Sequence, residues 1–411
     1  MDAEAKKSII DSVQRDELVS LCSKLIQLGG ENPPGDTTEI AGYIAELLEM
    51  SGFSVKRYEP KKNMVNLVSS IGSGNPSLIL CGHLDVFPAG PNWSFDPFSG
   101  MAVDGKIFGR GAVDMKAGVA ASITAFETLS KYESRIQGRL TLALYSDEES
   151  MGFGGAQWML NNVNEVRGDA CLIGEPAGPD IITLAEKGVL WLRFVAEGEL
   201  AHGAYSGGDN AILKISRLIE ALERLKEISG KAPPELKEYM HEQLSFYDKY
   251  GLSRMASALN KVWLNCGVIR GGEKVNMVPQ RCELEVDIRL PLGISPAYML
   301  ERIRETIQWI GSIGIKQEIM FFIEPNYTHP NEKIVEITRN NVAELVGAKP
   351  KLFTRLGSTD GKFYRLAGIP TVTYGPDAKT MGTVDEYVRI DELIYTALVH
   401  LGVACDFLNL G

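Results

Sequence analysis

The sequence predicts an α/β fold: an open sheet with helices on both faces, interrupted by a smaller α+β unit. Three observations lead there. Strand-length apolar runs alternate with helix-period stretches over residues 53–173. After about residue 186 the order changes to β-α-β-β-α-β, the ferredoxin-like arrangement, and the first pattern resumes near 325. A chain of 411 residues, 45% hydrophobic, is too long for one compact core. The predicted division is residues 1–185 with 325–411 as one domain and 186–324 as a second, inserted into it.

Asp16–Leu28 carries Leu18, Leu21, Leu25 and Leu28 at helical spacing. E-N-P-P-G-D (31–36) breaks the chain, and a second helix follows with Ile40, Ile44, Leu47 and Leu48 on one side, ending at Gly52. Strands are predicted over 53–58, 63–70 and Ser77–Cys81, and a hairpin over Met101–Phe108. Ala112–Leu129 reads as a helix with Asp114 at its start, Arg139–Tyr145 as a strand, Gly155–Val163 as a helix and Asp169–Ile173 as a strand. In the inserted unit, strands are expected at 189–197, 262–269, 281–290 and 315–323, helices at 209–227 and 296–310, and a polar, largely helical insert at 230–255. The first pattern then returns as helix 331–346, strand 351–355, helix 360–367, strand 369–374 and helix 391–407.

Net charge of −11 disfavours nucleic acid and anionic membrane as partners. The longest apolar runs have strand length, so no membrane span is expected. The charged N-terminal stretch lacks the apolar core of a signal peptide, and the six cysteines have no paired spacing. Together these predict reduced thiols in a cytoplasmic protein.

Four apolar runs end in groups that seek metals: His83 and Asp85 after the first, Asp114, then Glu148 and Glu149, then Glu175. In an open α/β sheet the ligand site lies outside the carboxyl ends of the strands, which brings these residues to one rim. An imidazole with several carboxylates is a donor set for zinc, and a carboxylate can bridge two ions. Residues i and i+2 of a strand share a face, so His83 can bind metal while Asp85 accepts its other N–H. Glu148 and Glu149 point differently, so one can ligate while the other serves as general base. Taken singly, each motif reads more simply as a cap or a turn; taken together at successive strand ends they indicate a metallohydrolase.

Further motifs carry a family resemblance. They are N-P-P-G (32–35), G-H-L-D (82–85), G-R-G-A-V-D-M-K (109–116), D-E-E (147–149) and G-E-P (174–176). H-G-A-Y-S-G-G-D-N-A (202–211), N-M-V-P (276–279), D-I-R (287–289), G-S-T-D-G (357–361) and D-E-Y-V (385–388) follow. On these motifs the chain resembles, over nearly its whole length, the zinc-dependent M20 metallopeptidases and amidohydrolases. That group includes acetylornithine deacetylase, succinyl-diaminopimelate desuccinylase, aminoacylase and glutamate carboxypeptidase. The resemblance implies a zinc-peptidase-type catalytic domain, a mixed sheet between helices, with an inserted ferredoxin-like lid. It implies one metal held by His83, Asp114 and Glu175, with Asp114 bridging to a second bound by Glu149. Zn²⁺ is the implied ion, one or two per chain, with Co²⁺ or Mn²⁺ as alternatives. Glu148 is then the general base and Asp85 orients His83. From the lid, His202 stabilises the oxyanion, Arg289 and Asn276 hold a substrate carboxylate, and Gly357, Ser358 and Thr359 line the pocket. A homodimer through the lid belongs to the same expectation.

One position departs from the family pattern, which has a ligand His three residues before the D/N-E pair; here that residue is Gly382. His329, Asp377 and Asp385 are the candidate replacements. The expected activity is cleavage of the amide bond of a small N-acyl amino acid. The alternatives are carboxypeptidase or dipeptidase action on short peptides, or a binding homologue impaired in catalysis by Gly382.

Overall fold

The computed structural model describes residues 3–205, 208–311 and 314–410, so Ser206 and Gly207 of the 202–211 motif lie outside the described residues. The chain forms two compact units. One comprises residues up to Leu184 with Tyr327–Phe353 and Thr359 onward; the other comprises Ala185–Asn326 with Thr354–Ser358.

The first unit begins with α1 (Ala3–Asp11), α2 (Arg15–Gln27) and α3 (Thr38–Met50). α2 buries Leu18, Leu21 and Leu25 of the predicted stripe together with Ile26, while Leu28 follows the helix and is half-buried; α3 buries Ile40, Ile44 and Leu48, with Leu47 half-buried. Next come β1 (Lys56–Lys61), β2 (Met64–Ser73) and β3 (Ser77–His83). A short hairpin, β4 (Met101–Val103) and β5 (Lys106–Phe108), precedes α4 (Ala117–Ser130). β6 (Gly138–Tyr145), α5 (Ala156–Asn162), β7 (Ala170–Ile173) and β8 (Ile181–Glu186) complete this part.

All seven residues of β3 are buried, as befits a strand covered on both faces. Burying each Leu or Ile of such a strand contributes about 1.5–3 kcal/mol. β3 pairs parallel with β6 and with β7, with His83 opposite Tyr145 and Cys81 opposite Ile173. The carboxyl ends of β3, β6 and β7 therefore share one rim. β3 also runs through His83, two residues past its predicted end, because His83 still pairs with Tyr145.

The second unit contains β9 (Gly188–Glu197), β10 (Ala201–His202) and α6 (Ala211–Glu223). The insert forms α7 (Lys237–Lys249) and α8 (Ser253–Asn260). β11 (Trp263–Gly271), β12 (Met277–Val278), β13 (Arg281–Leu290), α9 (Pro296–Trp309) and β14 (Ile315–Ile323) follow. Its four-stranded antiparallel sheet has the order β11-β13-β9-β14. Leu190, Leu192 and Phe194 of that sheet pack with Ile215 and Leu218 of α6 and Met299 and Ile303 of α9. Asn210 caps α6 through Leu213 N, and Ser295 caps α9 through Tyr298 N, with Pro296 in the first turn.

The remaining elements are β15 (Asn326–Tyr327), α10 (Lys333–Val346), β16 (Lys351–Arg355), α11 (Gly361–Leu366), β17 (Thr371–Thr373), β18 (Tyr387–Arg389) and α12 (Ile390–Phe407). The large mixed sheet runs β1-β2-β6-β3-β7-β17-β8-β15, with β16 also on β8.

Two expectations fail on long-range partners. Residues 354–358 cluster with the second unit, because the buried Gln243 amide of α7 donates to Thr354 O (2.8 Å) and accepts from Thr354 N (2.9 Å). The helix expected from Ala112 begins only at Ala117, with Asp114 (φ −118°, ψ 94°) and Met115 (φ −134°, ψ 38°) outside helical space. The Glu386 carboxylate takes the N–H groups of Val113 (2.9 Å) and Asp114 (3.4 Å), so the backbone at the Asp114 turn is spent on a distant side chain. Asp114 thus sits on a turn before α4, not at a helix N-terminus. Among the described residues no helix is long and apolar enough to cross a membrane, and all six cysteines are unpaired.

Candidate metal centre

At the shared rim, β3 ends in His83, β6 leads into a single turn at Glu148–Ser150, and Glu175 stands two residues past β7. His83 Nε2 lies 3.0 Å from Asp114 Oδ1 and 3.4 Å from Glu175 Oε1. One ligating atom from each of His83, Glu148 and Glu175 falls within 4.8 Å of the others. Glu175 is set by close backbone approach: a Cβ on Gly118, in the first turn of α4, would stand 1.9 Å from Gly174 O. Only glycine lets the helix start touch the turn that carries Glu175.

Beneath this cluster lies Asp85, fully buried. His83 Nδ1 faces the Asp85 backbone carbonyl at 2.9 Å, closer than the Asp85 carboxylate at 3.5 Å. The expected carboxylate partner of His83 is therefore mainly a carbonyl. An N–H on Nδ1 satisfies that carbonyl and leaves the Nε2 lone pair facing Asp114 and Glu175, the orientation a metal ligand needs. The Asp85 carboxylate instead accepts from Asn32 Nδ2 (2.8 Å), Glu148 N (3.2 Å) and Glu149 N (3.0 Å). Burial pushes its pKa up, but contacts with His83, Asn32 and Glu149 outweigh this and hold it below the usual carboxylate value. Asp85 thus holds the imidazole through its backbone carbonyl and the turn bearing the two glutamates through its charged carboxylate.

Burial, the largest cause, pushes Glu148 well above the ordinary carboxylate range, and the nearby Glu175 charge adds to it. The Lys362 ammonium pulls the other way, with Nζ 3.7 Å from Glu148 Oε1. Glu149 is pushed up to about 8 by burial and by Asp114, and its Oε1 is buried with no hydrogen-bond partner. Carboxylates crowded around one imidazole, one of them with an orphaned oxygen, form a donor set that a cation would neutralise. At these distances His83, Asp114 and Glu175 fit one divalent ion, and Glu148 lies within the same ligating range of His83 and Glu175.

Several residues in this region went unread in the sequence. Asn32 opens N-P-P-G and ties Asp85. Lys116 is fully buried, donates to Leu84 O, and is lowered by burial to about 7. Lys362 is fully buried and donates to Thr359 O (3.0 Å). Neither carboxylate oxygen of the buried Asp360 has a hydrogen-bond partner, and burial pushes that group up to about 7. The signal for the last two was a pair of charges inside G-S-T-D-G-K-F-Y, a stretch weighed for its Gly, Ser and Thr alone.

Arg110 and Glu386, both buried, pair across the 381–386 loop, and Arg110 Nη2 also reaches Gly382 O at 3.3 Å. Gly382 adopts φ +71°, and a Cβ there would meet nothing within 4 Å. The three candidate replacements are placed as follows. Asp385 accepts from Ser94 N (2.9 Å) and Ser94 Oγ (2.8 Å). Asp377 caps its own turn through Lys379 N (3.1 Å). His329 is exposed, and its Nδ1 accepts from Asn331 N (3.2 Å).

In the second unit, His202 and Asn276 are neighbours: His202 pairs with Met277, and Gly203 N donates to Asn276 O at 2.9 Å. Both side chains are exposed. Arg289 spends Nε on the Asp287 carboxylate (2.9 and 3.0 Å), while its two Nη groups have no hydrogen-bond partner among the described residues. Gly357 and Ser358 belong to this unit and Thr359 to the first. Ser358 Oγ is buried without a partner, and Thr359 is fully buried.

The sequence model of peptidase family M20/M25/M40 matches residues 79–405. Succinyl-diaminopimelate desuccinylase of Beijerinckia indica is 28% identical over 383 residues, 87% of this chain and 92% of that protein. The protein of that name from Rhodospirillum centenum is 29% identical, covering 87% of this chain and 89% of its own. An M20 family metallo-carboxypeptidase of Sulfolobus solfataricus has the same fold (TM-score 0.80, 20% identity, 96% and 99% covered). So does a dinuclear metal-binding M20 peptidase of Bacillus subtilis (TM-score 0.69, 14% identity, 97% and 99% covered).

Proposed function

The chain belongs to peptidase family M20/M25/M40 and is a metal-dependent hydrolase, and from that premise we propose that it cleaves the amide bond of an N-acyl amino acid, an N-succinyl substrate foremost. The observation that carries this reading is Glu148, a buried carboxylate within ligating distance of His83 and Glu175, which we assign as the base while His83, Asp114 and Glu175 take the ion. The desuccinylase relatives, aligned over most of both chains, support the acyl group.

A zinc ion held by His83, Asp114 and Glu175 would polarise the substrate carbonyl and acidify a water. Glu148 would take the proton of the attacking water as the water oxygen bonds to the carbonyl carbon, then deliver it to the amide nitrogen as the C–N bond breaks. The products are a free amine and a carboxylate. Lys362 Nζ, 3.7 Å from Glu148 Oε1, favours the ionised base. Asp85 keeps the Glu148 turn and His83 in register. From the second unit, His202 is assigned to the developing oxyanion and Arg289 with Asn276 to the substrate carboxylate. Gly357, Ser358 and Thr359 are assigned to the pocket wall. A homodimer through the second unit and a reducing, cytoplasmic setting belong to the same proposal.

The test is a panel of N-succinyl, N-acetyl and N-formyl amino acids beside dipeptides, after loading with zinc, cobalt or manganese. Turnover on an N-acyl amino acid is expected. Turnover on dipeptides alone would overturn the substrate class, and none on any member would overturn the activity.

A further inference from the structure

We propose that this chain binds one divalent ion tightly, at His83, Asp114 and Glu175, and that the position across Asp114 is an incomplete site lacking its imidazole. The inference rests on the metal-dependent reading above and concerns how many ions this chain's own donors can hold.

The donor sets on the two sides of Asp114 are unequal. One side offers an imidazole nitrogen and two carboxylates, with His83 Nε2 3.0 Å from Asp114 and 3.4 Å from Glu175. Among the described residues, the one cluster of three donors within mutual ligating range, His83 with Glu148 and Glu175, shares two of these groups. For a second ion the family pattern leaves Glu149, whose buried Oε1 has no hydrogen-bond partner, and Gly382, which has no side chain. A structural or catalytic zinc site takes three or four protein ligands, so two carboxylates are too few.

Among the described residues, none of the candidate donors supplies the gap. The space at Gly382 is open for 4 Å around a built Cβ, so no side chain has been packed into the vacated direction. Both oxygens of Asp385 are engaged by Ser94. Of the other first-unit histidines, His329 is exposed with Nδ1 taken by Asn331 N. His400 is buried between Ser122 Oγ (3.1 Å) and Tyr374 O (2.9 Å). The loop itself is held without a ligand: Arg110 grips Glu386 and Gly382 O, and Glu386 in turn grips the Asp114 turn. Loss of the imidazole therefore leaves the loop anchored and the second site short of a donor.

The test is metal stoichiometry. The full chain, loaded with excess zinc and dialysed against metal-free buffer, is analysed by inductively coupled plasma mass spectrometry. One zinc per chain is expected for the wild type and for Gly382→Ala, and two for Gly382→His, histidine being among the residues that tolerate positive φ. Cobalt titration followed by visible absorption gives the same count independently: one tight step in the wild type and a second in Gly382→His. Should Gly382→His fold poorly, the wild-type count decides alone. Two dialysis-resistant ions in the wild type would overturn the inference while leaving the hydrolase reading intact. No retained ion would overturn both. One ion without hydrolysis of any amide would leave the inference standing and remove the proposed function.

Discussion

The two sides of Asp114 are built differently. The His83 side is made of strand ends. Parallel pairing of β3 with β6 and β7 fixes where His83, Glu148 and Glu175 begin, and Asp85 ties His83 to the Glu148 turn. The Gly382 side is made of a loop pinned by one buried ion pair, Arg110 with Glu386. A strand end positions a side chain through backbone pairing that survives substitution of that side chain. A loop supplies a ligand through one residue, and here that residue is Gly382. Such a loop can lose its donor and stay in place, because the anchor and the donor are separate residues.

Substitutions can widen or close this contrast. His83→Ala strips the dense side of its imidazole, and both retained zinc and amide turnover are expected to fall to background, against no metal loss in Gly382→Ala. Equal retention in the two variants would erase the distinction between the sides. Glu386→Ala removes the anchor of the sparse side and leaves Arg110 buried and unpaired, at a cost of about 3–5 kcal/mol in unfolding free energy, read by urea denaturation. A cost under 1 kcal/mol would mean that the loop is held by something else.

His400 serves as a pH probe remote from both sides. Burial lowers it to about 4 from an ordinary 6.5. Between those values the unfolded chain binds a proton that the folded chain refuses. Stability is expected to be level above pH 6.5 and to fall toward pH 4 by roughly 3 kcal/mol. His400→Gln should flatten that limb, and an unchanged acid limb would assign the loss to other groups. Smallest is Asp85→Asn, which keeps the shape and the carbonyl that faces His83 but removes the charge that holds the Glu148 turn. Zinc affinity by competition with a chelating dye is expected to drop about 10–100-fold. No change would reduce Asp85 to a space-filler.

Much of the dense side was legible in the sequence, because continuous apolar runs such as Leu78–Cys81 announce buried strands and their ends locate the donors. What was not legible depends on partners far along the chain. Ala112–Lys116 has helical composition, yet Glu386, 273 positions from Val113, claims the N–H groups and turns the segment out of helical space. The backbone carbonyl facing His83 could not be read because H-x-D spacing does not distinguish the carbonyl of Asp85 from its carboxylate. Lys362 and Asp360 open the helix predicted over 360–367, and nothing in helical spacing marks the two charges as buried, which both are. Residues 354–358 changed unit because one glutamine on α7 captured their backbone.

The central claim is a bound ion working beside a free carboxylate base. Its most direct test is Glu148→Gln with zinc content and hydrolysis measured on the same preparation. Zinc equal to wild type with turnover of the N-acyl substrate reduced about 10²–10⁴-fold is the predicted result. Full zinc with wild-type turnover would contradict it.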